Sequence, residues 1–297
     1  MVLAVSCYQV EWSTVTSHSH IALILIQAVG QLCATASITS NLAQCETLIQ
    51  KAVKAGAKVL FLPEASDYIA SSADESLALA RSPDQKNFVS TLQTAAQLQK
   101  IHINVGIHEI ASEQRLKNSL IWIDDKGVIT QNYHKIHLFD VDIKDGPVLK
   151  ESASVQPGQE IIPPFQTPVG RVGLAICFDL RFPEISLALK RQKADIITYP
   201  SAFTVPTGKA HWESLLRARA IETQAYVVAA AQGGPHNEKR RSYGHSMIVS
   251  PWGEVMAELG EEYEEPQIAT ADIDLDLVAK IRREMPLLRR TDLYPEV

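Results

Sequence analysis

Short apolar runs that stop at a proline, a glycine or a charged residue alternate, in both halves of this chain, with stretches of helical period. Runs that short do not fill a helix. Amphipathic segments set between them call for a sheet with helices packed on it. In the first half, Ile24–Cys33 reads as a strand. Asn41 is placed to cap a helix, with Gln44 three residues on as its reciprocal partner. Leu42, Cys45, Ile49, Ala52 and Val53 keep helical spacing up to Gly56, and Lys58–Leu62 is a buried strand stopped by Pro63. A helix over Phe88–Gln99 and a strand over Ile101–His108 follow. Ser119–Ile123 and Val128–Tyr133 then flank Asp124-Asp125-Lys126-Gly127, a hairpin turn with glycine where a positive φ is needed.

The second half repeats the grammar. Strands are expected at Arg171–Ile176, Asp195–Tyr199, Ala225–Ala231 and Gln267–Asp272, and helices at Pro183–Gln192 and over 209–223. The latter carries Trp212, Leu215, Leu216 and Ala220 on one face. Ser246–Ser250 and Glu254–Glu258 flank Pro251-Trp252-Gly253 as a second hairpin, and Asp274 caps a last helix. The tail Arg289–Val297 reads as polar and extended. The expectation is an α/β fold with mixed sheets. No Pro/Ser/Gly-rich linker divides it, so residues 28–297 are read as one domain. Residues 1–27 form an atypical extension, whose first 20 residues mix Ser, Thr and His without a period.

Charge and cysteine content narrow the classes of function. With 28 Lys and Arg against 34 Asp and Glu, the net charge is −6, so no global attraction to nucleic acid or to an anionic membrane is expected. The longest strongly apolar run, Ile21–Ile26, is far short of the roughly 20 residues that cross a bilayer. No Lys or Arg precedes Lys51, which speaks against a secretory or mitochondrial leader and sets the expected location as the cytosol. Four cysteines without a CxxC pair suggest neither a disulfide framework nor a zinc site.

Three positions stand out chemically. Cys177 follows the strand RVGLAI and precedes FDLRFPE, which opens a helix at Pro183. A thiol at such a turn lies beside backbone N–H groups that bind an oxyanion, although a lone cysteine also serves as a small buried hydrophobe. Glu64 follows VLFLP at the end of a buried strand, where a carboxylate can act as a general base or simply occupy a surface loop. Lys135 lies among apolar and aromatic neighbours in YHKIHLF, suited to a developing negative charge or to a solvated strand edge. His134 and His137 invite a metal reading, but no third ligand falls in a suitable pattern.

FLPE, then HKIHLFD, then AICFDLRFPE resembles the ordered Glu–Lys–Cys signature of the nitrilase superfamily, the C–N hydrolases, with spacings of 71 and 42 residues. GPVLKESASVQPG, YPSAFTVPTGKAHWESLLRARAIETQAYVVAAAQ and RSYGHSMIVSPWG extend the likeness to the Nit-type amidase branch. The resemblance implies a four-layer αββα sandwich, usually dimerised, acting on a small-molecule amide without a metal or organic cofactor. It implies Glu64 as general base, Lys135 as stabiliser of the oxyanion, Cys177 as nucleophile and Glu151 as the group orienting Lys135 or the substrate. The Phe178 N–H would be the second oxyanion donor. For the substrate, Arg181 offers a fork for a carboxylate. Phe203 offers a wall for the acyl chain, and Thr204 a hydroxyl. His211, Glu213 and Arg217 are read as structural parts of their helix. The basic loop from Gln232 to Arg241 is read as a candidate for the leaving-group side.

Overall fold

The computed structural model describes residues 25–142 and 148–296. Most of the expected N-terminal extension therefore lies outside the described residues. The first half contains strands β1 (Leu25–Leu32), β2 (Val59–Phe61), β3 (His102–Ile110), β4 (Leu116–Ile123) and β5 (Ile129–His134) with helices α1 (Ile38–Lys54), α2 (Ala73–Arg81) and α3 (Pro83–Gln99). A small ribbon, β6 (Asp140–Asp142) with β7 (Val148–Lys150), leads to the second half. There, strands β8 (Phe165–Thr167), β9 (Gly170–Gly173), β10 (Ile196–Thr198) and β11 (Tyr226–Ala229) are interleaved with α4 (Pro183–Arg191) and α5 (Val205–Thr223). The chain ends with β12 (Ala231–Pro235), β13 (Arg241–Tyr243), β14 (Met247–Val249), β15 (Val255–Glu258), β16 (Gln267–Ile273) and α6 (Leu275–Glu284).

The strands form two large mixed sheets. One has eight strands in the order β13-β12-β1-β2-β3-β4-β5, with β16 also pairing β1, and the other has six in the order β15-β14-β11-β10-β9-β8. The first centres on four parallel strands (β12-β1-β2-β3) and the second on three (β9-β10-β11), each extended by antiparallel neighbours.

The alternation of side chains along a strand decides the layering. Val59 and Phe61 of β2 and Leu120 and Trp122 of β4 face the second sheet and pack with Val172, Ile196 and Val227. Leu60, Ile103, Val105, Ile121 and Ile123 point the other way, onto Leu42, Cys45, Leu48 and Ile49 of α1 and Phe88 and Leu92 of α3. Ile185 and Leu189 of α4 and Trp212 and Leu216 of α5 cover the second sheet. The result is the four-layer αββα sandwich that the resemblance implies. No helix among the described residues is long and apolar enough to cross a membrane.

Several boundaries differ from the sequence reading. β1 begins at Leu25, three residues inside the segment read as an extension. Helix α1 is capped by Ser37, which accepts from the Ser40 N–H, not by Asn41. Asn41 sits buried in the first turn, where its side chain holds the Thr35 and Asp67 carbonyls. A tertiary role thus displaces the capping role its residue type suggests. Helix α5 starts at Val205 rather than 209, with Pro206 in the first turn, where a missing N–H costs nothing. Helix α2 was not anticipated and buries no residue completely.

Candidate active site

The buried centre lies beyond the C-terminal ends of strands from both sheets. β2 runs out through Pro63 to Glu64, β5 leads directly into Lys135, and β9 leads through Leu174–Ile176 to Cys177. All three side chains are buried, with Lys135 2% exposed, Glu64 5% and Cys177 7%.

Lys135 Nζ donates to Glu64 Oε1 at 2.8 Å and to Glu151 Oε2 at 2.9 Å. Asn118, on β4, bridges the same carboxylates, donating to Glu64 Oε1 at 2.7 Å and to Glu151 Oε1 at 2.9 Å. The second oxygen of Glu64 accepts the Ala202 N–H at 2.9 Å, and Glu151 Oε2 also accepts the Phe139 N–H at 2.6 Å. The Cys177 thiol shares the cavity lining with these groups and lies in the electrostatic field of Glu64 and Lys135. Three groups read separately from the sequence, Glu64, Lys135 and Glu151, therefore form one hydrogen-bonded cluster with Cys177 beside it.

The charges follow from that packing. Burial pushes the Cys177 thiol up, the Glu64 charge adds to this, and Lys135 offsets only part of it, so the resting sulfur keeps its proton. Burial also works against the Glu64 anion. The Lys135 charge and hydrogen bonds from Lys135 and Asn118 outweigh it and hold the carboxyl below its usual range. Burial opposes the Lys135 ammonium as well, yet Glu151 and Glu64 raise it well above the ordinary lysine value. The pair is an ionised base beside a neutral thiol.

The backbone that presents these groups is unusual. Cys177 has φ +44° and Ala65, next to Glu64, has φ +54°. That left-handed conformation costs a non-glycine residue about 1–2 kcal/mol, which the surrounding hydrogen bonds must offset. The Cys177 N–H donates to the Pro200 carbonyl at 2.9 Å. Asp179 then locks the turn. It accepts from the Ile176 N–H at 2.9 Å, the Tyr133 hydroxyl at 2.7 Å and the His137 N–H at 3.0 Å, so one carboxylate fastens the thiol's turn to the segment that carries Lys135. Among the described residues, the Phe178 N–H, next to the thiol, makes no backbone hydrogen bond outside its own turn. Gln232 supports Glu64 from behind, donating to its carbonyl at 3.0 Å.

The residues expected to line the acyl side lie in an adjoining recess. Phe178, Arg181, Phe203 and Thr204 surround it together with Phe139, Cys177, Ala202 and Thr207, around a space of about 10 Å³. The Arg181 guanidinium stacks over Phe178 and Phe203, with ring centres 5.8 and 5.5 Å away, and its Nη2 meets His211 Nδ1 at 3.3 Å. It makes this contact, not the pairing with Glu184 that its place at a helix start suggests. Thr204 Oγ1 and Thr207 Oγ1 are 2.8 Å apart. The open volume lies elsewhere, in a cavity of about 260 Å³ lined by Glu64, Lys135, Glu151, Cys177, His108 and Arg240 among others. Cys177, Phe139 and Ala202 belong to both linings.

Sequence reasoning missed several supporting residues. His108 stacks on Tyr68 at 4.3 Å and bonds the buried Asp67 through Nδ1 at 2.9 Å. Burial would lower the imidazole, but Asp67, aided by Glu64 and Glu151, raises it. Its alternating strand IHINVGIHE carries no mark that separates it from any strand-end histidine. His134 and His137, which looked like a possible metal pair, go to different carboxylates: Glu109 at 3.3 Å and Asp179 at 2.7 Å. Among the described residues, no group of three His, Cys, Asp or Glu could hold a metal ion. Glu213 and Arg217 form an exposed pair along α5 at 3.2 Å.

Residues 27–283 match the family model of the carbon–nitrogen hydrolases. The chain is 51% identical to the probable hydrolase nit2 of Schizosaccharomyces pombe over 92% of this chain and 99% of that protein. It is 43% identical to the deaminated glutathione amidase of Homo sapiens over 98% of this chain and 90% of that one. Among solved structures, Saccharomyces cerevisiae Nit3, a member of branch 10 of the nitrilase superfamily, superposes with a TM-score of 0.78 at 28% identity, covering 90% of this chain and 96% of that one.

Proposed function

From the premise that the chain belongs to the carbon–nitrogen hydrolase family, in the Nit branch of the nitrilase superfamily, we propose that it is an amidase acting on deaminated glutathione. It would release cysteinylglycine and 2-oxoglutarate through a thioester on Cys177. The observation that carries this reading is the convergence of a thiol, an ionised carboxylate and an ammonium group at the floor of one cavity.

The steps follow from the protonation states. Glu64 accepts the thiol proton as sulfur attacks the amide carbon. Because the thiol sits high and the carboxyl low, transfer is favoured only as the new C–S bond takes up the charge. The tetrahedral oxyanion lies between Lys135 Nζ and the Phe178 N–H, donors fixed before substrate arrives. Glu64 returns its proton to the departing amine, leaving the thioester. A water molecule then gives a proton to Glu64 and its oxygen to the acyl carbon, and Cys177 leaves with the proton restored. Glu151 holds Lys135 in place. Arg181, Phe203 and Thr204 form the acyl subsite, which must widen from its packed state to take a five-carbon 2-oxo acid.

The substrate assignment is supported by the identity with amidases of that name. Deaminated glutathione and 2-oxoglutaramate share the acyl half and differ in the leaving amine. We expect kcat/KM for deaminated glutathione to exceed that for 2-oxoglutaramate by at least about tenfold, equivalent to about 1.4 kcal/mol of transition-state binding. Glutathione itself is expected to be poor, because its α-ammonium would meet Arg181. A panel of these three amides and simple nitriles tests the assignment. An equal or reversed preference between the two oxo acids would make the protein an omega-amidase, and turnover of nitriles alone would point to another member activity.

A further inference from the structure

The substrate proposed above carries two carboxylates, one on each side of the amide that is cleaved. The acyl carboxylate has a partner in Arg181. The leaving group ends in a glycine carboxylate, and the cavity holds a second arginine.

Arg240 lines the open cavity together with Glu64 and Cys177, whereas Arg181 lines the packed recess that meets it at Cys177. Of the basic run Lys239-Arg240-Arg241, only Arg240 lines that cavity; its two neighbours are exposed. Its backbone is fixed. The hairpin pairs Gly234 with Ser242 and Pro235 with Arg241. Asn237 Oδ1 accepts the Lys239 and Arg240 N–H groups, each at 2.9 Å, and the His236 N–H donates to the Arg240 carbonyl at 2.9 Å. The buried His236 pins the base of the turn to Ala34 and Ser242, each contact 2.7 Å long.

The head group, by contrast, is uncommitted. Arg191, Arg219 and Arg282 each reach a carboxylate; among the described residues, Arg240 does not. The other basic groups of the cavity are engaged or peripheral. Lys135 serves two carboxylates, His108 is held by Asp67, and Lys150 is an exposed rim residue. A guanidinium on a rigid turn, half-buried and without an anion, matches a carboxylate in fork geometry.

We propose that Arg240 binds the terminal carboxylate of the leaving peptide and thereby sets the preference for a peptidyl amide over a primary amide. This rests on the assignment of deaminated glutathione as substrate. Lys239 and Arg241, which the sequence suggested equally, have no part in it.

The test compares deaminated glutathione with the analogue whose terminal glycine is a glycinamide, on the full-length wild type and on R240A, R240K and K150A. In the wild type, kcat/KM for the acid exceeds that for the amide by tenfold or more. In R240A the ratio falls to near one, R240K retains part of it, and K150A keeps it. The inference is overturned if the wild type does not distinguish acid from amide. It is also overturned if R240A slows both to the same extent, the result of a role towards the acyl half or the fold, or if K150A abolishes the ratio. A wild type that hydrolyses 2-oxoglutaramate but neither peptide removes the substrate assignment itself, and the role of Arg240 with it.

Discussion

Lys135 Nζ lies 2.8 Å from Glu64 Oε1, although 71 residues separate them along the chain. The contact joins the end of a parallel strand to the end of an antiparallel one in the same sheet. It makes one carboxylate both the counter-ion of the ammonium and a charge that acts on the thiol.

That double role separates Glu64 from Glu151. Glu64→Gln removes the proton acceptor, and kcat is expected to fall by about 10²–10⁴-fold at every pH. Glu151→Gln leaves the base in place and takes away one of two anchors of Lys135, so its kcat loss is expected to be smaller. Both variants should melt below the wild type, because a buried ammonium is left with less compensation. A Glu151→Gln loss as deep as that of Glu64→Gln would show that the two carboxylates are not divided in this way.

The nucleophile is expected to be a thiol at rest. Burial and the Glu64 charge hold its proton on, so Cys177 in the free enzyme should be alkylated by iodoacetamide at neutral pH more slowly than an exposed cysteine. Peptide mass spectrometry of the partly modified protein reads this directly. Fast, selective labelling of Cys177 without substrate would mean a preformed thiolate.

Gly106, in β3, supports the base by what it lacks. A Cβ there would lie 2.5 Å from the Glu64 Cα and 2.7 Å from the Pro63 carbonyl. Gly106→Ala must therefore push the Glu64 backbone away from Lys135. The expected outcome is a drop in kcat of at least about tenfold and a lower melting temperature. A variant with wild-type kinetics would show that the strand end adapts without moving the carboxylate.

Much of this was legible because strand ends are marked in the sequence. Pro63 stops a buried strand one residue before Glu64, and the run to Ile176 places Cys177 at a turn. What stayed hidden depends on the pairing of distant segments. Nothing in the strand pattern around Asn118 marks it as the bridge between two glutamates, and Gly106 looks like any glycine in a strand until Pro63 is laid against it. Asp179 reads as a helix-start acid, yet its partners come from Tyr133 and His137, more than 40 residues earlier. The start of α5 was missed because Thr207 and Gly208 bury without being apolar enough to show a periodic face.

Acid should weaken the fold through His236. Its burial, with help from Arg240, pushes the imidazole down from 6.5 to about 4. The unfolded chain then takes up this proton before the folded one does. Stability is lost as pH falls from about 6.5 and the loss is complete below about 4, amounting to roughly 3 kcal/mol. Urea midpoints across that window should decline in the wild type and flatten in His236→Gln. An unchanged slope in the variant would place the acid sensitivity elsewhere.

The central claim is that turnover passes through the sulfur of Cys177. The direct measurement is hydrolysis of deaminated glutathione by Cys177→Ala, with circular dichroism and melting as the check on folding. The account predicts a folded protein whose turnover is at background. A folded Cys177→Ala protein that still hydrolyses the amide at a rate near that of the wild type would contradict it.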